Sequence, residues 1–345
     1  MKDTEISLPA RPVGLPPAVT RVADPLISIV VPCYNETDAV DLFHTAITGE
    51  LDGHRLELVF VNDGSKDDTI AKLIDLSRRD DRVVVVNLSR NFGKEVAMTA
   101  GIEQASGDVV IPMDVDLQDP PDLIPKFLER WREGYDVVYG VRVDRSSDKA
   151  TKRVTSGLFY RLFNRLAQTE IPPNAGDYRL MDRVAVDAIC QLTERNRFMK
   201  GLFAWIGFPS VGVEYTRPER AAGETKFNYW RLWNFALDGV VSFSSLPLRV
   251  WTYAGGIVAF VSVLYASLIV VRTMVYGIDV PGYASTMTAV LFLGGIQLIS
   301  LGVIGEYLSR LFVETKGRPV YLLQGVYRKG ARTEKGTRDV DPDQG

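Results

Sequence analysis

The chain has 345 residues, with 40 basic and 43 acidic side chains and a net charge of −3, a balance that excludes nucleic-acid binding driven by bulk charge. Two cysteines far apart, Cys33 and Cys190, give neither a disulfide framework nor a metal-cysteine spacing. With two histidines, His44 and His54, a zinc site or a Ser-His-Asp hydrolase is disfavoured, while metal chemistry with oxygen ligands stays open.

Residues 1–24 carry Pro9, Pro12, Pro16 and Pro17, which break any signal-peptide core, and read as a disordered tail. The β-branched run 26–34 is a first strand, followed by a helix to about residue 48. Residues 56–61 form a second strand, closed by the turn cluster Asn62-Asp63-Gly64-Ser65 and followed by a helix over 69–79. A third strand over 82–88 leads to Arg90 and Lys94 and a helix to about 105. The fourth, 107–113, ends in Asp114-Val115-Asp116-Leu117-Gln118-Asp119-Pro120-Pro121-Asp122. A helix over 120–133, with Asp119 and Asp122 as caps, and a strand over 135–140 complete the alternation of a doubly wound, mostly parallel sheet.

Beyond Gly140 the pattern turns irregular and basic. Residues 174–179 read as a polar turn, 184–192 as a helix and 212–215 as a strand. Residues 229–247 combine Tyr229, Trp230, Trp233 and Phe235 with Arg231, as an interfacial helix does. Residues 250–271 and 280–305 hold no charged side chain, so each can cross the ~30 Å hydrocarbon layer. The spans are set at about 250–271 and 282–305, within a membrane segment over 248–309. Their glycines (Gly255, Gly256, Gly294, Gly295, Gly302, Gly305) are expected to allow close helix approach. Basic residues cluster outside the pair, while the connecting loop holds Arg272 and Asp279, which places both termini in the cytoplasm. The segment 310–345 is then cytoplasmic and disordered from about 330.

In a doubly wound sheet the carboxyl ends of the strands share one edge, where ligands bind. That edge would collect Tyr34, Glu36, Asp63, Arg90, Lys94, Asp114, Asp116 and Arg142. Neither a Gly-x-Gly-x-x-Gly turn nor a Walker A loop is present, so a nucleotide must be gripped by side chains and a metal. Asp114 and Asp116, two residues apart at a strand end, can face one Mg²⁺ or Mn²⁺, ions that take one or two carboxylates and fill their other positions with phosphate and water.

At Pro32-Cys33-Tyr34-Asn35-Glu36, Val61-Asn62-Asp63-Gly64-Ser65, Asp114 to Asp122 and Arg220-x-x-Gly223-x-Thr225-Lys226, the chain resembles the polyprenyl-phosphate glycosyltransferases of glycosyltransferase family 2. The resemblance covers about residues 26–325 and, with two C-terminal spans, points to the bacterial branch that uses undecaprenyl phosphate. It implies a GT-A catalytic domain over 25–228, followed by interfacial helices and a two-helix transmembrane hairpin. The implied reaction is inverting transfer of a sugar, with glucose favoured, from a UDP-sugar to undecaprenyl phosphate at the inner membrane, by a homotetramer. The same chemistry with a 4-amino-4-deoxy-arabinose derivative, an N-acetylhexosamine or mannose is an alternative, as is a non-catalytic nucleotide-sugar-binding scaffold. The resemblance assigns Pro32, Tyr34, Glu36, Asp63, Lys94 and Asp114 to the nucleotide. Asp116 and Gln118, with Asp114, are assigned to the metal, and Arg142, Arg153, Arg220 and Lys226 to the acceptor phosphate. Asp116, Asp177 and Arg220 form its catalytic set, Asp177 in the position usually named as base. The Gln-x-x-Arg-Trp of processive polysaccharide synthases is absent.

The chemistry qualifies one of these roles. A phosphate monoester carries about −1.5 to −2 at pH 7 and needs no base to become a nucleophile. Asp177 is therefore expected to orient the acceptor or a basic side chain. Charge repulsion is the larger barrier: two phosphoryl groups ~6 Å apart repel by roughly 3 kcal/mol per charge pair at an effective dielectric near 20, so cations must sit on both.

Overall fold

The computed structural model describes residues 21–142, 175–195, 197–216, 246–276 and 282–335. In chain order these form β1 Ile27–Cys33, α1 Ala39–Glu50, β2 Leu56–Asn62, α2 Thr69–Arg79, β3 Val83–Leu88, α3 Lys94–Gln104 and β4 Val109–Pro112. A 3₁₀ turn, Pro121–Leu123, runs into α4 Ile124–Arg132. Then come β5 Val137–Arg142, β6 Ala175–Asp182, α5 Arg183–Gln191, α6 Met199–Trp205 and β7 Ser210–Tyr215. Two long helices, α7 Leu246–Tyr276 and α8 Tyr283–Thr315, precede the strands β8 Leu323–Arg328 and β9 Ala331–Lys335.

The described strands make one nine-stranded sheet in the order β7-β5-β6-β4-β1-β2-β3-β8-β9. Its centre is parallel, with β1 between β2 and β4 and β3 beyond β2. These strands are buried on both faces, which is why they read as unbroken apolar runs rather than alternating ones. Ile29, Val31, Phe43, Phe60, Phe127 and Trp131 fill the layer under α1 and α4, each buried large side chain contributing about 1.5–3 kcal/mol. On the other face α3 approaches β1 and β2 at Gly101, where an added Cβ would lie 2.3 Å from Val30 Cγ1.

The sheet departs from the sequence reading in one important place. Residues 175–179, expected as a polar turn, begin β6, which inserts antiparallel between β4 and β5. The polar residues misled because Gly176 and Asp177 lie at the end of the strand that enters the site, while Tyr178, Leu180 and Met181 are fully buried. Strand β5 still runs in the same sense as β4, and β7 pairs parallel with β5. The carboxyl ends of β1 to β5 and β7 and the amino end of β6 therefore meet at one edge.

Two terminal expectations change as well. Disorder from about residue 330 gives way to β9, which with β8 forms a hairpin added to the outer edge of β3. The hairpin is tied down by Gln324 Oε1, which accepts from Asn87 at 3.0 Å, and by an ion pair of Arg328 with Glu57 at 3.3 Å. Residues 1–20 of the tail lie outside the described residues. Arg21 is docked, with its guanidinium on Asp136 at 2.8 Å and on Asp182 and 4.8 Å from the Trp131 ring centre.

By compactness the chain divides into two units, one comprising Met1–Leu162, Thr169–Tyr229 and Pro319–Gly345, the other Phe163–Gln168 and Trp230–Arg318. The second holds α7 and α8, of 31 and 33 residues, each longer than its expected span. Their apolar side chains are exposed, among them Tyr253, Phe260, Leu268, Phe292 and Leu301. Among the described residues, Phe292–Thr315 is long and apolar enough to cross a membrane by length and composition. Among the described residues, a Cβ at Gly255, Gly256, Gly294, Gly295, Gly302 or Gly305 would meet nothing within 4 Å. The expected interfacial helix lies outside the described residues up to 245.

Candidate active site

The site is built on the common edge of the sheet. Its first part is a set of latched turns. Gly64, at φ +64°, passes so close to the next loop that a Cβ would lie 2.4 Å from the carbonyl carbon of Arg90. The Asp63 carboxylate accepts from the backbone N–H of Phe92 at 2.7 Å and of Gly93 at 2.9 Å. Asp63 is 3% exposed, and what it does here is fix the chain entering α3, where a negative charge also suits the helix dipole. Asn35, at φ +56°, accepts from Lys66 N at 2.8 Å and so joins the turn after β1 to that after β2. Pro32 ends up half-buried, Tyr34 is exposed and Glu36 stands in the turn between β1 and α1.

Lys94, the first residue of α3, is the centre of the second part. Its ammonium lies 2.6 Å from Asp114 Oδ1 and 3.3 Å from Asp177 Oδ2. Burial works against the charge on Lys94, but Asp114 and Asp177 outweigh it and hold its pKa well above the ordinary lysine value. Burial likewise pushes Asp177 up, yet Lys94, Lys200 and Arg179 overcome it and hold the carboxyl below the usual range. Next along the helix, burial and then Asp177 push Glu95 up to about 7. Its carboxylate accepts from Met199 N at 3.2 Å, so α6 is seated against the same cluster.

The turn after β4 supplies the third part. Asp116 Oδ1 accepts from Gln118 N at 3.1 Å, with Leu117 held at φ +55° between them. A non-glycine residue in that region costs of order 1–3 kcal/mol and recurs at functional sites. Gln118 Oε1 is buried without a hydrogen-bond partner, an acceptor of the kind a divalent cation satisfies. Among the described residues no group of three or more His, Cys, Asp or Glu could hold a metal. Asp116 and Gln118 are donors that fit such an ion and leave most positions to substrate oxygens, while Asp114 pairs with Lys94. Asp119 and Asp122 are not caps: neither the 3₁₀ turn nor α4 has a side-chain cap, and Asp119 instead accepts from the Tyr215 hydroxyl at 3.0 Å.

Arg142, the last residue of β5, donates from Nε to Tyr215 Oη at 3.2 Å, and its Nη2 lies over Gly176. Arg153, Arg220 and Lys226, the other expected acceptor ligands, lie outside the described residues. The site thus brings together Lys94, Asp114 and Asp177, with Arg142 beside Gly176, the residue before Asp177. This clustering of cations and carboxylates around the end of an open α/β sheet suits a doubly charged diphosphate facing a second phosphate.

Comparison with known proteins agrees with that geometry. Residues 28–190 match the profile described as glycosyl transferase family 2, and residues 246–311 the GtrB C-terminal hairpin. An uncharacterized glycosyltransferase of Synechocystis is 53% identical over 87% of this chain and 95% of its own length. The SfII prophage-derived bactoprenol glucosyl transferase of Shigella flexneri is 49% identical over 88% of this chain and 98% of its own. The prophage bactoprenol glucosyl transferase homolog of Escherichia coli K12 is 48% identical over 87% of this chain and 99% of its own. The chain belongs to glycosyl transferase family 2.

As a family 2 glycosyltransferase it has the GT-A fold that the resemblance implied, with a mostly parallel sheet. Sequence reasoning missed Tyr215, Glu95 and the part played by Asp119. The strand carrying Tyr215 was legible, but not that it pairs parallel with β5 and so delivers its carboxyl end to the site.

Proposed function

We propose that this glycosyltransferase moves glucose from UDP-glucose to undecaprenyl phosphate with inversion, at the cytoplasmic face of the inner membrane. The observation that carries the reading is the pairing of Lys94 with both Asp114 and Asp177 at the edge where the strand ends meet, an edge that also holds Arg142 at the end of β5. Near-full-length identity to bactoprenol glucosyl transferases supports the sugar and the lipid. An acceptor phosphate oxygen attacks the anomeric carbon, the bond from that carbon to the diphosphate oxygen breaks, and UDP leaves with the electron pair. Asp177, kept ionised by Lys94, orients the cations around the acceptor and abstracts no proton. Arg142, with Arg153, Arg220 and Lys226, would bind the acceptor phosphate. Pro32, Tyr34, Glu36 and Asp114 would face the nucleotide.

Asp116 and Gln118 would hold a Mg²⁺ or Mn²⁺ ion, which when bound offsets charge on the diphosphate leaving group. Two membrane crossings, by α7 and α8, are supported by the sheet itself. Strand β8 pairs with β3, and a pair of crossings would bring the chain back to the side it left.

The test is release of UDP from UDP-glucose by the full chain in detergent. Release that needs both a polyprenyl phosphate and a divalent cation, and is lost in Asp116→Asn, is the expected result. Equal turnover with UDP-N-acetylglucosamine or GDP-mannose would overturn the sugar assignment. UDP-glucose binding with no release under any condition would favour a scaffold.

A further inference from the structure

Resting on the reading of Arg142 as a ligand of the acceptor phosphate, we infer that Asp119 and Tyr215 form a positioning relay that fixes the Arg142 guanidinium for that phosphate. Three separate elements meet here: the turn after β4 brings Asp119, the end of β7 brings Tyr215 and the end of β5 brings Arg142. The direction of the relay is set by chemistry. A carboxylate only accepts and a guanidinium only donates, so the single hydroxyl hydrogen of Tyr215 goes to Asp119 and its lone pair faces Arg142 Nε.

Asp119 is 3% and Tyr215 6% exposed, so the two are sheltered from competing water. The phenol ring is itself held in place. It packs edge-on against Tyr178 with ring centres 6.0 Å apart, and it fills the space over Gly140, where a Cβ would come within 2.8 Å of Tyr215 Cε1. On the other side of the guanidinium a Cβ on Gly176 would lie 3.2 Å from Arg142 Nη2. With Nε engaged, the terminal nitrogens of Arg142 remain for a phosphate, beside the residue that precedes Asp177. Fixing a flexible side chain before substrate arrives lowers the ordering cost at binding, and the gain falls on the acceptor alone. Tyr215 and Asp119 are positioning residues in this scheme, since they act through Arg142.

A double-mutant cycle on the full chain, assayed with UDP-glucose and a short-chain polyprenyl phosphate, tests the relay. Tyr215→Phe is expected to raise the acceptor KM roughly tenfold, the scale of one lost hydrogen bond to a charged group, with donor KM unchanged. In an Arg142→Ala background the same change is expected to have no further effect, because its target is gone. Asp119→Asn should act in the same direction and show the same dependence on Arg142, which covers the case of a Tyr215→Phe protein that does not fold. A full effect persisting in the Arg142→Ala background, or an equal rise in donor KM, would overturn the relay and leave a packing role. If Arg142→Ala itself leaves the acceptor KM unchanged, the phosphate reading of Arg142 fails and the relay with it. A raised acceptor KM in Arg142→Ala with an additive cycle overturns the relay alone.

Discussion

Lys94 holds Asp114 at 2.6 Å and Asp177 at 3.3 Å, so a single ammonium joins the end of β4 to the start of β6. Strands β4 and β6 run in opposite directions, and their polar ends coincide only because β6 begins where β4 stops. The helix that carries Lys94 is in turn anchored by Asp63 at its entry and by Gly101 at its packing face.

Lys94→Met removes the cation that offsets the burial of Asp177. Its carboxyl then moves up toward the ordinary range, still below the acid limb set by the acceptor phosphate, so the pH profile should keep its shape while turnover falls. A fall in kcat of about 100-fold is expected, the cost of misplacing reacting groups by about 1 Å. Measurement of kcat across pH checks both, and an undiminished kcat would count against the pairing.

Asp177→Asn separates an orienting role from a basic one. The acceptor phosphate has its second pKa near ~6, so an acid limb set by substrate should survive the substitution while kcat drops roughly tenfold or more. Disappearance of a wild-type acid limb in the variant would make Asp177 the base.

Glu57 joins β2 to its surroundings at the far end of the sheet. It accepts from Ser28 Oγ at 2.5 Å, from Ser106 N at 2.8 Å and Oγ at 2.7 Å, and pairs with Arg328. Burial pushes its pKa up, but the Ser28 and Ser106 hydrogen bonds and the Arg328 charge outweigh this and leave it below the ordinary value. The unfolded chain therefore binds the proton more readily, and this stability is present above about pH 4.3 and lost as pH falls through the folded value. Glu57→Gln should cost about 1.5–3 kcal/mol at neutral pH and flatten the acid loss of stability, read by thermal unfolding in detergent.

Gly64→Ala meets both a left-handed backbone and a contact of 2.4 Å with the Arg90 backbone. A destabilisation of about 2 kcal/mol or more is expected, together with weaker UDP binding measured by calorimetry, because the loop that enters α3 must shift. Full stability with unaltered binding would show that this approach is not needed.

The parallel half of the fold was legible because its strands are buried on both faces and each is punctuated by a turn cluster. Lys94, Asp114 and Arg142 were legible as candidates for that reason, at a strand end or in the segment that follows one. The antiparallel insertion was not legible, since β6 opens with Ala175-Gly176-Asp177, a composition that local propensity assigns to a turn; only pairing with β4 and β5 makes it a strand. Asp119 was read as a helix cap from its place before two prolines, although its partner is 96 positions away in sequence. Contacts of that kind leave no local signal.

The hairpin of β8 and β9 has a consequence for synthesis. Strand β3 ends at Leu88 and its outer neighbour starts at Leu323, with α7 and α8 made in between. At ~5–20 residues per second the growing chain carries an open β3 edge for some tens of seconds. The nascent enzyme is thus an incomplete sheet until the whole helical segment has been made. Shortening the chain before Leu323 makes that interval permanent, and leaves a row of backbone donors and acceptors available to any strand that arrives first.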